Sequence, residues 1–228
     1  MTKVKAICFD LDDTLWDLMP SILHAEQIVY QWFAVHCPRV TGSNSIEDIR
    51  KLRAAIGHKY FDRQHDLSFL RLRCYEQLVA DSGYEIAAGI RAFDVFQAAR
   101  NEVELFDDVL PALKDLGADY ALFSLSNGNA DVEAIGLSDF FHYSFTAKEI
   151  GCAKPDTRVF DAVCKGAGLL PAEILHVGDD PHNDIAAPLS IGMPAVWLNR
   201  KQRGWPVDLA GPVPEISDLS QLRGMLGV

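Results

Sequence analysis

The chain predicts an α/β fold, a parallel sheet core interrupted by an inserted helical segment. Short apolar runs at 6–9, 120–125, 174–177 and 195–198 are too short for helices, and three of them stop at a turn rich in Asp, Ser, Asn or Gly, as buried strands do. After residue 106 these runs alternate with helical periodicity, the pattern of parallel strands joined by crossover helices. Between 17 and 100 the periodicity is helical and no convincing strand interrupts it. Two parts follow: an α/β core from 1–16 and 101–228, and a helical domain at 17–100.

Each element has a local reason. Ala6-Ile7-Cys8-Phe9 is a strand, and Asp10 ends it because Asp is a poor strand former and a good turn former. Leu18, Ile22, Ala25, Ile28, Val29 and Trp32 mark one helical face. Pro38 and the run Thr41 to Ser45 interrupt the helical pattern. Further helices are expected over 46–56, 67–80 and 86–99. In the core, a helix over 109–116 is closed by Gly117. The strand at 120–125 runs into Ser126-Asn127-Gly128-Asn129. Short helix near 132–135, a strand near 143–145 and a helix over 159–167 come next. The strand at 174–177 is closed by Gly178-Asp179-Asp180-Pro181. A short helix over 183–189 precedes the last strand, Ala195 to Leu198, and the Pro/Gly-rich tail ends in a weak helix.

Composition bounds the partners. With 21 Lys+Arg against 32 Asp+Glu the formal net charge is −11, which argues against nucleic acid or anionic membranes as partners. No apolar stretch approaches the roughly 20 residues of a membrane span. No secretory leader is expected before the first strand. Hydrophobic residues make up 49 % and mean hydropathy is +0.03, enough apolar material for a large core in a water-soluble chain. Cys8, Cys37, Cys74, Cys152 and Cys164 are odd in number and lack zinc-ligand spacing. Free thiols in a reducing cytoplasm are therefore expected.

In an open parallel sheet, ligands bind outside the carboxyl ends of the strands. Three such ends carry the chemistry here: Asp10–Thr14, Ser126–Gly128 and Gly178–Asp184. Asp10 and Asp12, one residue apart, offer a nucleophile and an acid/base. Two unit charges about 4 Å apart repel by roughly 4 kcal/mol at an effective dielectric near 20, so a divalent cation is the simplest relief. Ser126 and Asn127 offer a hydroxyl and backbone N–H groups suited to phosphoryl oxygens. Lys154, held extended by Pro155, can neutralise another such oxygen. Asp179 and Asp184 return carboxylates to the same edge, a donor set that suits Mg2+. His182 has no partner at zinc spacing, so zinc is not expected.

Together these residues carry a resemblance to the haloacid dehalogenase-like hydrolase superfamily. Asp10, Asp12 and Thr14 look like its first motif, Ser126 its second, Lys154 its third, and Asp179 with Asp184 its fourth. The resemblance implies a Rossmann-like core, a helical cap at 17–100 and a cytoplasmic phosphomonoesterase. It implies that Asp10 attacks phosphorus while Asp12 protonates the leaving alcohol and then activates water. Asp10, the Asp12 carbonyl and Asp179 would hold Mg2+, with Asp184 in support and Asp180 and Asn183 in its outer shell. Ser126 and Lys154 would bind the phosphoryl group, and Thr14, Asn127, Gly128 and Trp16 the remaining substrate contacts.

The superfamily's dehalogenases lack an acid at the second position of the first motif and need no metal, so Asp12 favours phosphoryl chemistry. A mutase that passes the phosphoryl group to a sugar hydroxyl is the alternative; a dehalogenase or a non-catalytic binding protein fits less well. Segments at 126–130, 135–141 and 173–180 are also similar to bacterial phosphatases of flavin mononucleotide and a riboflavin precursor. Tyr60, Phe61, Arg63, Phe69, Arg71, Arg73 and Tyr75 would suit a planar anionic substrate. A small phosphorylated metabolite, no nucleic acid, no membrane, and a monomer or weak dimer complete the expectations.

Overall fold

The computed structural model describes residues 3–211 and 213–227. Six parallel strands form one sheet: β1 (Ala6–Phe9), β2 (Ala121–Ser126), β3 (Tyr143–Thr146), β4 (Ile174–Gly178), β5 (Ala195–Leu198) and β6 (Glu215–Ile216), in the order β3-β2-β1-β4-β5-β6. The chain moves from β1 to one side of the sheet and returns to β4 on its other side. That reversal makes the β1/β4 junction the switch point, the place where open parallel sheets bind ligands at their carboxyl ends. Register there is fixed by Phe9 against Ser124 on one side and Val177 on the other. Every residue of β1 and β4 is buried, which is why both strands are continuously apolar apart from His176.

The helices are α1 (Leu18–His36), α2 (Pro38–Ser43), α3 (Ile46–Lys59), α4 (Leu67–Asp81), α5 (Ile86–Arg100), α6 (Val109–Leu116), α7 (Val132–Ile135), α8 (Ala147–Ile150), α9 (Arg158–Ala167), α10 (Ala187–Ser190) and α11 (Ser220–Leu226). The chain divides into two compact units. One, the α/β unit, comprises 1–17, 104–128 and 136–228; the other, the helical unit, comprises 18–103 and 129–135.

In the α/β unit, α9 turns Val159, Phe160, Val163 and Cys164 onto Phe123, Leu125 and Ile174. Burying each such side chain contributes about 1.5–3 kcal/mol. In the helical unit, Phe33, Tyr75 and Phe96 form a chain of edge-on rings. Arg63, Arg71 and Arg73 are engaged within the unit. Arg71 lies over Phe96 at 3.6 Å, Arg63 over Phe69 at 4.3 Å, and Arg73 pairs with Glu76 at 2.7 Å. Phe61 is 75 % exposed.

Three local expectations are corrected. Pro38 opens a helix instead of breaking one, because the first helical position needs no N–H donor. The segment after β4 is a wide π-type turn, Pro181–Ala186, followed by α10 rather than one helix over 183–189. Strand β6 lies in the Pro/Gly-rich tail, where two residues are too few to show alternation.

Candidate active site

Strand β1 delivers Asp10 to the switch point. Its N–H still pairs with Val177 O at 2.9 Å, so Asp10 is the last residue held by the sheet. The chain then closes a tight loop in which Leu15 N–H bonds Leu11 O and Asp13 N–H bonds Trp16 O. Asp13 sits at φ +61°, a left-handed conformation that Asp tolerates better than most residues. Inside this loop Thr14 donates its hydroxyl to Asp10 Oδ2 at 3.2 Å, and Trp16 donates its indole N–H to Asp12 Oδ1 at 2.9 Å. Trp16 is 0 % exposed, so its place is against the Asp12 carboxylate.

Lys154 ties the strand ends together. Its ammonium donates to Asp10 Oδ1 at 2.6 Å, Asp184 Oδ1 at 2.6 Å and Leu125 O at 3.2 Å. All three ammonium protons are thus used, as a buried lysine requires. Asn127 brackets the Lys154 backbone: its amide donates to Lys154 O at 2.9 Å and its carbonyl accepts from Lys154 N–H at 2.8 Å. Asn127 therefore holds the lysine in place. Ser126 Oγ accepts from Gly128 N–H at 2.8 Å. A Cβ on Gly128 would overlap Asp12 Oδ2 and press on Ser126 Oγ. Only glycine lets the second strand end come this close to the first.

The fourth segment closes the site. Asp180 caps the turn by accepting from His182 and Asn183 N–H at 2.9 and 2.8 Å. That turn returns Asp184 to β4, where a Cβ on Gly178 would strike the Asp184 side chain. Asp184 Oδ2 accepts from Asp180 N–H at 3.1 Å, and Oδ1 lies 3.1 Å from His176 Nε2. Asp10, Asp179 and Asp184 each bring a carboxylate oxygen to one point, all within 4.8 Å of one another. His182 lies at the surface, 3.7 Å from Asp208.

Electrostatics follow from this crowding. Burial pushes the Asp10 carboxyl up, Asp184 adds to the rise, and Lys154 opposes both. Burial also penalises Asp184, but Lys154 and His176 outweigh it and hold that carboxyl well below its ordinary range. Lys154 is pulled down by burial and, more strongly, up by its two carboxylates, so it stays charged. Asp179 is pushed to about 6 by burial and by Asp184 and Asp13, against the pull of Arg203. Burial lowers His176, with Asp184 opposing, so its ring is neutral near pH 7.

Thus Asp10, Asp12, Thr14, Ser126, Gly128, Lys154, Asp179 and Asp184 gather at adjoining strand ends, while Trp16 and Asn127 support Asp12 and Lys154. Three further residues belong to the same surroundings. Arg203 donates to Asp179 Oδ2 at 2.9 Å and to its carbonyl at 2.7 Å. Lys201 reaches Asp13 Oδ1 at 2.9 Å. The third is His176. A lone imidazole in an apolar strand was the one sequence signal for it; the two cations sit on a polar loop and carried none.

Comparison with known proteins places the chain in a family. The family profile described as haloacid dehalogenase-like hydrolase matches residues 4–192. The 5-amino-6-(5-phospho-D-ribitylamino)uracil phosphatase YigB of Escherichia coli (strain K12) is 31 % identical, over 98 % of this chain and 97 % of its own. A glyceraldehyde 3-phosphate phosphatase of Methanopyrus kandleri is 28 % identical over 86 % of this chain and 84 % of its own. Among solved structures, the 2-haloacid dehalogenase from Pseudomonas syringae pv. Tomato DC3000 superposes with a TM-score of 0.92 at 35 % identity, covering 98 % of both chains.

Proposed function

The chain belongs to the haloacid dehalogenase-like hydrolase family and is a phosphatase, and we propose that it is a Mg2+-dependent phosphomonoesterase with Asp10 as nucleophile. The observation that carries this reading is the meeting of the Asp10, Asp179 and Asp184 carboxylates at one point, with Lys154 against Asp10 and Asp184. Three carboxylates against Lys154 and Arg203 still leave negative charge in excess, and the Asp179 carboxyl is pushed up by burial and by its acidic neighbours. An all-oxygen donor set of this kind fits a hard divalent cation. Asp10, Asp179 and the Asp12 carbonyl would hold Mg2+, with Asp184 in support. When bound, it would offset negative charge between nucleophile and phosphoryl group.

The residues then divide the work. Asp10 attacks phosphorus, the ester P–O bond breaks, and Asp12 gives its proton to the leaving alkoxide. Asp12 next takes a proton from water, whose oxygen attacks phosphorus, releasing inorganic phosphate and freeing the Asp10 carboxylate. Trp16 keeps Asp12 aimed, and Lys154 keeps Asp10 from swinging away. Ser126 and Gly128 N–H would cradle the phosphoryl oxygens.

The helical unit takes the role of cap and chooses the substrate. Likeness to the Escherichia coli enzyme supports a 5-amino-6-(5-phospho-D-ribitylamino)uracil-like substrate, and the resemblance of segments 126–130, 135–141 and 173–180 adds flavin mononucleotide to the panel. A cytoplasmic enzyme fits the five free, buried cysteines, and a monomer or weak dimer is the proposed state. The Pseudomonas syringae structure favours a second reading, dehalogenation; the acid at position 12 favours phosphoryl transfer over it. A panel of phosphate esters with and without EDTA, run beside halide release from a 2-haloacid, tests the choice. EDTA-sensitive phosphate release without halide is the expected result. Halide release without phosphate release overturns the reading, and isomerised product without free phosphate replaces it with a mutase.

A further inference from the structure

His176 stands in the middle of β4 between Leu175 and Val177, and it is completely buried. The ring of Phe160 packs edge-on against it at 5.1 Å, a contact that any apolar side chain would make. Its Nδ1 is buried and pairs with no described residue. Such an unpaired polar atom costs stability and calls for an explanation. Its Nε2, by contrast, lies 3.1 Å from Asp184 Oδ1, the same oxygen that receives Lys154 at 2.6 Å.

We propose that His176 is a positioning residue for phosphoryl transfer: an Nε2–H donor that locks the Asp184 carboxylate, through it Lys154, and through Lys154 the nucleophile Asp10. This inference rests on the reading of Asp10 and Lys154 given above. Asp184 is fixed by three donors from three places: Lys154 and His176 on Oδ1, and the Asp180 N–H on Oδ2. Two of them, Lys154 and the Asp180 loop, belong to connections after β-strands. Only His176 is anchored within a fully buried strand that is paired on both sides. It is therefore the fixed end of the chain His176–Asp184–Lys154–Asp10. Without it, Asp184 and Lys154 remain paired but can move together, and Asp10 moves with them. Small displacements of a reacting oxygen are expensive in rate.

The test uses His176→Met, which removes the donor together with the unpaired Nδ1, and His176→Gln, which keeps an amide donor. The expected result for His176→Met is thermal stability equal to or above wild type, kcat lowered about tenfold or more, and KM within about twofold. His176→Gln should recover kcat to within about threefold of wild type. Nitrogen NMR of the wild-type protein, with EDTA and with Mg2+, should show the proton on Nε2 in both.

Wild-type kcat in His176→Met, or a proton on Nδ1, overturns the proposal. The NMR arm stands even if the methionine variant does not fold. Lys154→Met run in parallel separates the two levels. If it too keeps wild-type phosphate release, the reading of the site itself has failed; if only His176→Met keeps it, the positioning role alone has failed.

Discussion

Lys154 Nζ donates to Asp10 Oδ1 at 2.6 Å across 144 residues of sequence, with both groups buried. This contact joins the end of β1 to the loop before α9 and sets the charge balance of the site. Removing one partner of a buried pair leaves the other charge uncompensated. Lys154→Met should therefore cost about 3–5 kcal/mol of stability near neutral pH. Because the carboxylates can take up protons instead, the deficit should shrink in acid. Denaturant unfolding at two pH values checks both expectations.

Gly128 makes room for Asp12. Gly128→Ala places a methyl group on Asp12 Oδ2, so the proposed acid/base is pushed from its position while the sheet is untouched. kcat/KM should fall about 100-fold, with stability lowered by only about 1–3 kcal/mol. Steady-state kinetics and thermal unfolding of the same preparation separate the two effects.

Asp179 predicts a pH dependence. Its carboxyl titrates near 6 in the folded chain against an ordinary 3.8, so the folded state holds the extra proton between these values. Stability from this group is complete below the unfolded pKa and is lost as pH rises through the folded one. The loss amounts to about 3 kcal/mol. In EDTA, the stability of wild type relative to Asp179→Asn should decline from about pH 4 to about pH 7. Mg2+ should restore much of it at the upper end, because the ion binds the ionised form.

Trp16 offers a milder probe. Trp16→Phe keeps an aromatic ring in a fully buried position and deletes the N–H that reaches Asp12 Oδ1. kcat should fall about tenfold with KM nearly unchanged, and stability by about 1–2 kcal/mol.

Much of the fold was legible because β1, β2, β4 and β5 are almost wholly buried and so appear as apolar runs. The candidate site was legible because Asp10, Ser126 and Asp179 stand at the ends of those runs, with Asp12 and Asp184 in the turns just beyond. Three kinds of feature escaped. Pro38 looked like a breaker because the same residue is tolerated at a helix start. Strand β6 is two residues long, too short for any period. Arg203, Lys201 and His176 acquire meaning only from register: His176 faces Cys8 across the sheet and Asp184 across a turn, relationships that spacing alone does not express. Trp16 and Asn127 were legible as members of the site, but their donors turn toward Asp12 and Lys154.

The central claim is that Asp10 carries the phosphoryl group between two half-reactions. Acid quenching during turnover of a phosphate ester, followed by peptide mass spectrometry, tests it most directly. A phosphoryl group on Asp10 in the presence of Mg2+, absent with EDTA and absent in Asp10→Asn, is the predicted result. A phosphoryl group on any other residue, or undiminished phosphate release by Asp10→Asn, would contradict it.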